Sequence, residues 1–87
     1  MTYALRLSSA AEIDLDRLPS DVLRRVDAKL MALKRNPRPR GVSKLEGRQV
    51  QGWRVRVGDY RILYTIDDEA RIVSVYRISP RGSAYKK

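Results

Sequence analysis

Trp53-Arg54-Val55-Arg56-Val57-Gly58-Asp59-Tyr60-Arg61-Ile62-Leu63-Tyr64 is the stretch that decides the fold. Side chains of a strand alternate between faces, so Trp53, Val55 and Val57 point one way and Arg54 and Arg56 the other. Gly58-Asp59 reads as a two-residue hairpin loop. It sets Val57 opposite Tyr60, Arg56 opposite Arg61 and Val55 opposite Ile62. Two arginines then face each other across the sheet, which destabilises it by a few tenths to about 1 kcal/mol. Stability alone does not favour that arrangement, and a local rule broken in this way marks a candidate site.

Working outward, Asp67-Asp68-Glu69-Ala70 reads as a turn between the strand Tyr60–Ile66 and a last strand Arg71–Ile78. A turn that pairs Ile66 with Arg71 sets Ile62 against Val75 and Tyr64 against Val73, with Arg61 facing Tyr76 on the other side. A slip of one residue would reverse the faces of the last strand. The three adjacent acids lack the spacing of a calcium loop and are expected to be a solvated turn. From Ser79 the tail is polar and irregular, and no strand is expected there.

Upstream, Tyr3–Ser8 alternates weakly and reads as a first strand. Ser9-Ala10-Ala11-Glu12 has the spacing of a capping box and opens a short helix with Ile13, Leu15 and Leu18 as its apolar residues, closed by Pro19. Ser20-Asp21 caps a second helix, in which Leu23, Val26, Leu30 and Leu33 recur at three- and four-residue spacing. Its polar side carries Arg24, Arg25, Lys29, Lys34 and Arg35, a solvated face. Asn36-Pro37-Arg38-Pro39-Arg40-Gly41 cannot continue the helix, because proline lacks the amide hydrogen and restricts its predecessor. The expected architecture is α+β in the order β-α-α-β-β-β, with two N-terminal helices packed on one face of a small antiparallel sheet. Trp53, Tyr60 and Tyr64 alternate with the arginines and are expected in the core.

The 87 residues suit one domain spanning 1–87. At 43 % hydrophobic residues the chain is too apolar for disorder, and no apolar run is long enough to cross a membrane. The sequence opens on a strand rather than an export signal, so a cytoplasmic protein is expected. There is no cysteine and no histidine, which removes the thiol nucleophile, thiolate metal sites and the usual near-neutral acid and base. No metal or cofactor is expected. The 19 basic residues exceed the 10 acidic ones by nine, which points to a polyanionic partner, nucleic acid first and an acidic protein second.

The order strand, helix, helix, basic loop, Lys44-Leu45-Glu46-Gly47, Trp53-Arg54-Val55-Arg56, Asp59-Tyr60-Arg61-Ile62-Leu63-Tyr64 and a terminal Arg81-x-x-x-Tyr85 resembles the RelE/ParE toxin superfamily over nearly the whole chain. The resemblance implies a RelE-like toxin of a type II toxin-antitoxin system that enters the ribosomal A site, contacts ribosomal RNA and cuts the messenger RNA. A small RelB-like antitoxin neutralises it. The family's basic pair falls on Arg54 and Arg56, its third-strand arginine on Arg61, its basic residue before the end on Arg81 and its terminal tyrosine on Tyr85. The chain departs from the pattern in carrying arginines where well-studied nucleases have lysines, and Pro80 where many relatives have histidine. The alternatives are a ParE-like toxin that inhibits gyrase without cutting RNA, and an inactive module that only pairs with its antitoxin.

RNA is cut without metal when its own 2′-hydroxyl attacks the adjacent phosphate, leaving a 2′,3′-cyclic end and a 5′-hydroxyl. The protein has then to align the nucleotide, stabilise the phosphorane and assist proton transfer. Arginine suits the second task, since its planar fork grips phosphate oxygens and stays charged. Arg56, Arg61, Arg81 and Tyr85 are the catalytic candidates. Arg56 and Arg61 act as the clamp, Arg81 at the leaving oxygen, and Tyr85 in base stacking or proton movement. Arg54, Lys44, Arg38 and Arg40 are the RNA-binding candidates. Arginine is a poor proton acceptor, so the base is left to Tyr85, Glu46 or ribosomal RNA.

Overall fold

The Gly58-Asp59 turn forms as read. In the computed structural model, which describes residues 2–45 and 52–80, β3 (Gly52–Val57) and β4 (Tyr60–Asp67) are antiparallel, with Arg56 opposite Arg61 and Val55 opposite Ile62. The positive φ of +59° falls on Gly58 and not on Asp59, the pattern of a type II′ turn. The remaining elements are β1 (Ala4–Leu7), α1 (Ser9–Asp16), α2 (Ser20–Arg35), β2 (Ser43–Leu45) and β5 (Ile72–Pro80). The fold is α+β, as expected, with two helices on a sheet ordered β1-β5-β4-β3-β2. Two features enlarge the expected sheet. β2 pairs with β3, and β1 joins the far edge parallel to β5, so the sheet is mixed rather than wholly antiparallel.

The β4–β5 register differs from the expected one. The turn is Asp68–Arg71 rather than Asp67–Ala70, because Arg71 takes the left-handed conformation at φ +57°. The Asp67 carboxylate accepts the Ala70 N–H at 3.0 Å, and the Arg71 carbonyl accepts from Ala4 N–H at 2.8 Å. Asp67 therefore pairs with Ile72 and Tyr64 with Val75. A bulge follows. Leu63 pairs with Arg77, leaving Tyr76 as the extra residue, so Ile62 faces Ile78 and Arg61 faces Ser79 instead of Tyr76. With unbroken alternation after Val73 and Val75, Arg77 and Ser79 would point at the helices. The extra residue sends Ile78 inward, where it is 2 % exposed. β5 also runs on through Ser79 and Pro80, where a tail was expected.

The helix starts shift as well. The N-cap of α1 is Ser8, whose hydroxyl oxygen accepts the Ala11 N–H at 3.0 Å, not Ser9. Ser8 is already held to β5 through its own N–H on the Val75 carbonyl, so the chain turns into the helix there. α2 begins after Pro19 with no side-chain cap. Val26, Leu30 and Leu33 form the buried stripe of α2, while Leu23 lies at its exposed margin; on α1, Ala11 is buried and Ile13 is exposed. Ala11, Val26, Leu30 and Leu33 pack on Val55, Val57, Ile62, Tyr64, Val73, Val75 and Ile78 from the sheet. Each fully buried aliphatic side chain contributes roughly 1.5–3 kcal/mol.

Tyr64 is the largest fully buried side chain. Its hydroxyl donates to the Pro37 carbonyl at 2.6 Å, tying the loop after α2 to the sheet. Burial pushes its phenol up to about 12. A phenol that ionises near 10 in the unfolded chain and near 12 in the folded one stabilises the fold fully below about pH 10 and loses that contribution as pH rises toward 12. Urea midpoints measured from pH 9 to 11.5 should fall steeply at the upper end for the native chain and less so for Tyr64→Phe.

Gly52 opens β3 at φ +95°. A Cβ there would run into the Tyr64 carbonyl oxygen and stand 3.1 Å from Thr65 Cγ2. Gly52→Ala should cost about 2 kcal/mol or more, read as a drop in thermal midpoint with unchanged helix content at low temperature.

Candidate nucleic-acid interface

The registers lay out the helix-free face in rows. Arg56, Arg61 and Ser79 stand side by side across β3, β4 and β5, and the next row is Arg54, Leu63 and Arg77. Arg6 joins from β1 opposite Ser74, on the face away from Leu5 and Leu7, which pack on the core. Five arginines thus share one face. The described carboxylates on the strands and turns lie at its ends, Asp59 in the hairpin turn, Asp67 at the last position of β4, and Asp68 and Glu69 in the turn that follows. Such a face attracts phosphates and binds the stronger the lower the salt.

The arginines are held differently. Arg77 Nε donates to Asp14 Oδ2 at 2.8 Å, and the same oxygen accepts the Ile78 N–H at 2.9 Å. One carboxylate of α1 thereby clamps the strand just past the bulge. Arg61 is half-buried, with its Nε sealed from solvent, so packing fixes the stem of the guanidinium. Arg56 is exposed and Arg54 half-buried, and Leu63, between Arg54 and Arg77, is only 4 % exposed.

The structure does not gather all the sequence candidates. Arg38 and Lys44 lie on the other side, flanking Trp53: the Arg38 guanidinium carbon is 5.2 Å and the Lys44 ammonium 5.9 Å from the ring centroid. Such cation–π contacts contribute about 0.5–1 kcal/mol at exposed sites. Arg38 also forks onto Asp68, Nη2 to Oδ2 at 2.9 Å and Nη1 to Oδ1 at 3.2 Å, while the Tyr3 hydroxyl donates to Oδ1 at 2.7 Å. The Arg38 guanidinium and then the Tyr3 hydroxyl hold the Asp68 carboxyl below its usual range. Arg38 thus fastens its loop to the β4–β5 turn. Arg40 is exposed in the same loop. Arg81, Tyr85 and Glu46 lie outside the described residues. Ser79, Arg77 and Arg6 were missed from sequence. Alternation in β1 could have found Arg6, but nothing in the sequence announces the bulge that turns Arg77 and Ser79 to this face.

Arg56 opposite Arg61 should oppose folding. Arg56→Gln is expected to raise stability by a few tenths to about 1 kcal/mol in low salt, with the gain shrinking as salt is added. Urea titrations at two ionic strengths measure it.

Residues 5–85 match the family model of the ParE toxin of type II toxin-antitoxin systems, parDE. Toxin RelG of Mycobacterium tuberculosis is 35 % identical over 89 residues, covering 100 % of both chains. Putative toxin RelE1 of Methanocaldococcus jannaschii is 34 % identical, covering 99 % of this chain and 98 % of its own. Among solved structures, the archaeal RelE–RelB complex from Pyrococcus horikoshii superposes with a TM-score of 0.82 at 31 % identity, over 95 % of this chain and 99 % of that one. A face built from opposed arginines, a RelE-like fold and similarity along the full length lead to one conclusion: the chain belongs to the RelE/ParE family of type II toxin–antitoxin toxins.

Proposed function

We propose that this toxin is an endoribonuclease that cuts messenger RNA in the ribosomal A site and so stops translation. The observation that carries this reading is the register that sets Arg56 directly against Arg61, with Arg54 on the same face. Two opposed guanidinium groups repel each other. A phosphate relieves that repulsion and accepts the paired donors of both forks.

The bound phosphate is the one attacked. The 2′-oxygen of the preceding ribose forms the new bond to phosphorus and the bond to the 5′-oxygen breaks, giving a 2′,3′-cyclic phosphate and a 5′-hydroxyl. The reaction requires no metal ion. Arg56 and Arg61 stabilise the charge gathering on the equatorial oxygens, Arg54 aligns the neighbouring backbone, and Arg81 neutralises the leaving oxygen. The proton of the 2′-hydroxyl passes to a base, for which Tyr85, Glu46 and ribosomal RNA are the candidates, and a proton returns to the 5′-oxygen. Arg38, Arg40 and Lys44 add longer-range attraction for the RNA from the loop and from β2. The partner that silences the toxin is a RelB-like antitoxin, in line with the RelE–RelB pairing of the Pyrococcus neighbour.

Primer extension on a defined message, with and without ribosomes, tests the reading. The expected result is cuts within A-site codons that need ribosomes and vanish with Arg61→Ala, while circular dichroism shows that variant folded. A folded, toxic chain that leaves the message intact would overturn the nuclease and favour the gyrase-inhibiting mode of ParE-type toxins.

A further inference from the structure

We infer that Ser79 is a substrate-contacting residue, its hydroxyl meeting an oxygen of the phosphate that Arg61 grips. The inference rests on the nuclease reading and adds to it a group that the sequence places in a tail.

Three observations converge on Ser79. Its register partner is Arg61, and Arg61's other partner is Arg56, so the hydroxyl completes the row of the opposed arginines. It is 5 % exposed, and its Oγ is buried with no hydrogen-bond partner among the described residues. Leaving a hydroxyl in that state is unfavourable, so in a purely structural role alanine would serve better. Finally, Ser79 reaches this face only because the bulge at Tyr76 reverses the alternation of β5, and Asp14 pins the strand just beyond it through the Ile78 N–H at 2.9 Å. Bulges beside functional sites commonly re-aim a side chain in this way. Ser79 is the neighbour of Arg61 on the side away from Arg56, and an oxygen of the phosphate that Arg61 grips, drawn in on that side, provides the partner its hydroxyl lacks.

The test compares the native chain, Ser79→Ala and Arg61→Ala by single-turnover cutting on saturating ribosomes and by thermal unfolding. Ser79→Ala should cut on the order of ten- to a hundredfold more slowly, the effect of one lost hydrogen bond to a charged oxygen, while its thermal midpoint stays the same or rises. Native-rate cutting by Ser79→Ala, with Arg61→Ala inactive, would overturn the role of Ser79 and leave the nuclease standing. A lowered thermal midpoint for Ser79→Ala would make the hydroxyl structural and also overturn it. A native chain that cuts nothing on ribosomes would remove the nuclease reading and the role of Ser79 together.

Discussion

The Gly58-Asp59 turn fixes the register of β3 on β4, and that register fixes the character of both faces of the sheet. A slip of one residue would reverse one strand against the other, carrying either Val55 and Val57 or Ile62 and Tyr64 to solvent and driving either Arg54 and Arg56 or Arg61 under the helices, where unpaired charges are costly to bury. The hydrophobic layer and the arginine layer therefore enforce each other. Burial of Val55 and Ile62 opposite one another holds Arg56 against Arg61, although the two cations repel. With aliphatic burial at roughly 1.5–3 kcal/mol per side chain and the like-charge pair at no more than about 1 kcal/mol, packing wins and the charged pair persists.

Tyr64 extends that constraint to the helical layer. Its ring fills the core under α2, and its hydroxyl reaches the Pro37 carbonyl, so the segment leaving α2 is set by the same strand that carries Arg61. Arg38 adds a second tie to Asp68 and lies over Trp53. The loop's basic character, read from sequence as an RNA contact, is in part spent on holding the loop in place.

What could be read from the chain was what local rules decide. The hairpin was legible because Gly at the first turn position admits only a few registers, and α2 because Val26, Leu30 and Leu33 recur at helical spacing. The β4–β5 pairing was not, since its turn depends on Arg71 in a left-handed conformation that glycine or asparagine ordinarily takes. Serines at positions 8 and 9 offer the same cap chemistry, and only the contact of Ser8 with β5 selects between them. β1 lies parallel to β5, a pairing across more than sixty residues that no local pattern encodes. For the same reason only part of the arginine face was visible: Arg54, Arg56 and Arg61 follow from alternation, Arg77 and Ser79 from a bulge fixed by tertiary packing.

Two of the described arginines tie one element to another, and two more are set against each other across the sheet. Arg38 and Arg77 each meet a carboxylate brought from elsewhere in the sequence, Asp68 and Asp14, and each of those pairs fastens one element to another. Arg56 is set against Arg61 instead. A chain with acidic residues to spare on its helices and turns could have placed one across from Arg56, and the alternation of β4 would have accepted it at position 61. Opposing two arginines there keeps the positive potential at its highest at the centre of the face, where an incoming phosphate replaces repulsion by two charge-assisted contacts. The acid at Asp14 acts at one remove: by holding the Ile78 amide it keeps β5 in the phase that presents Ser79 beside this pair.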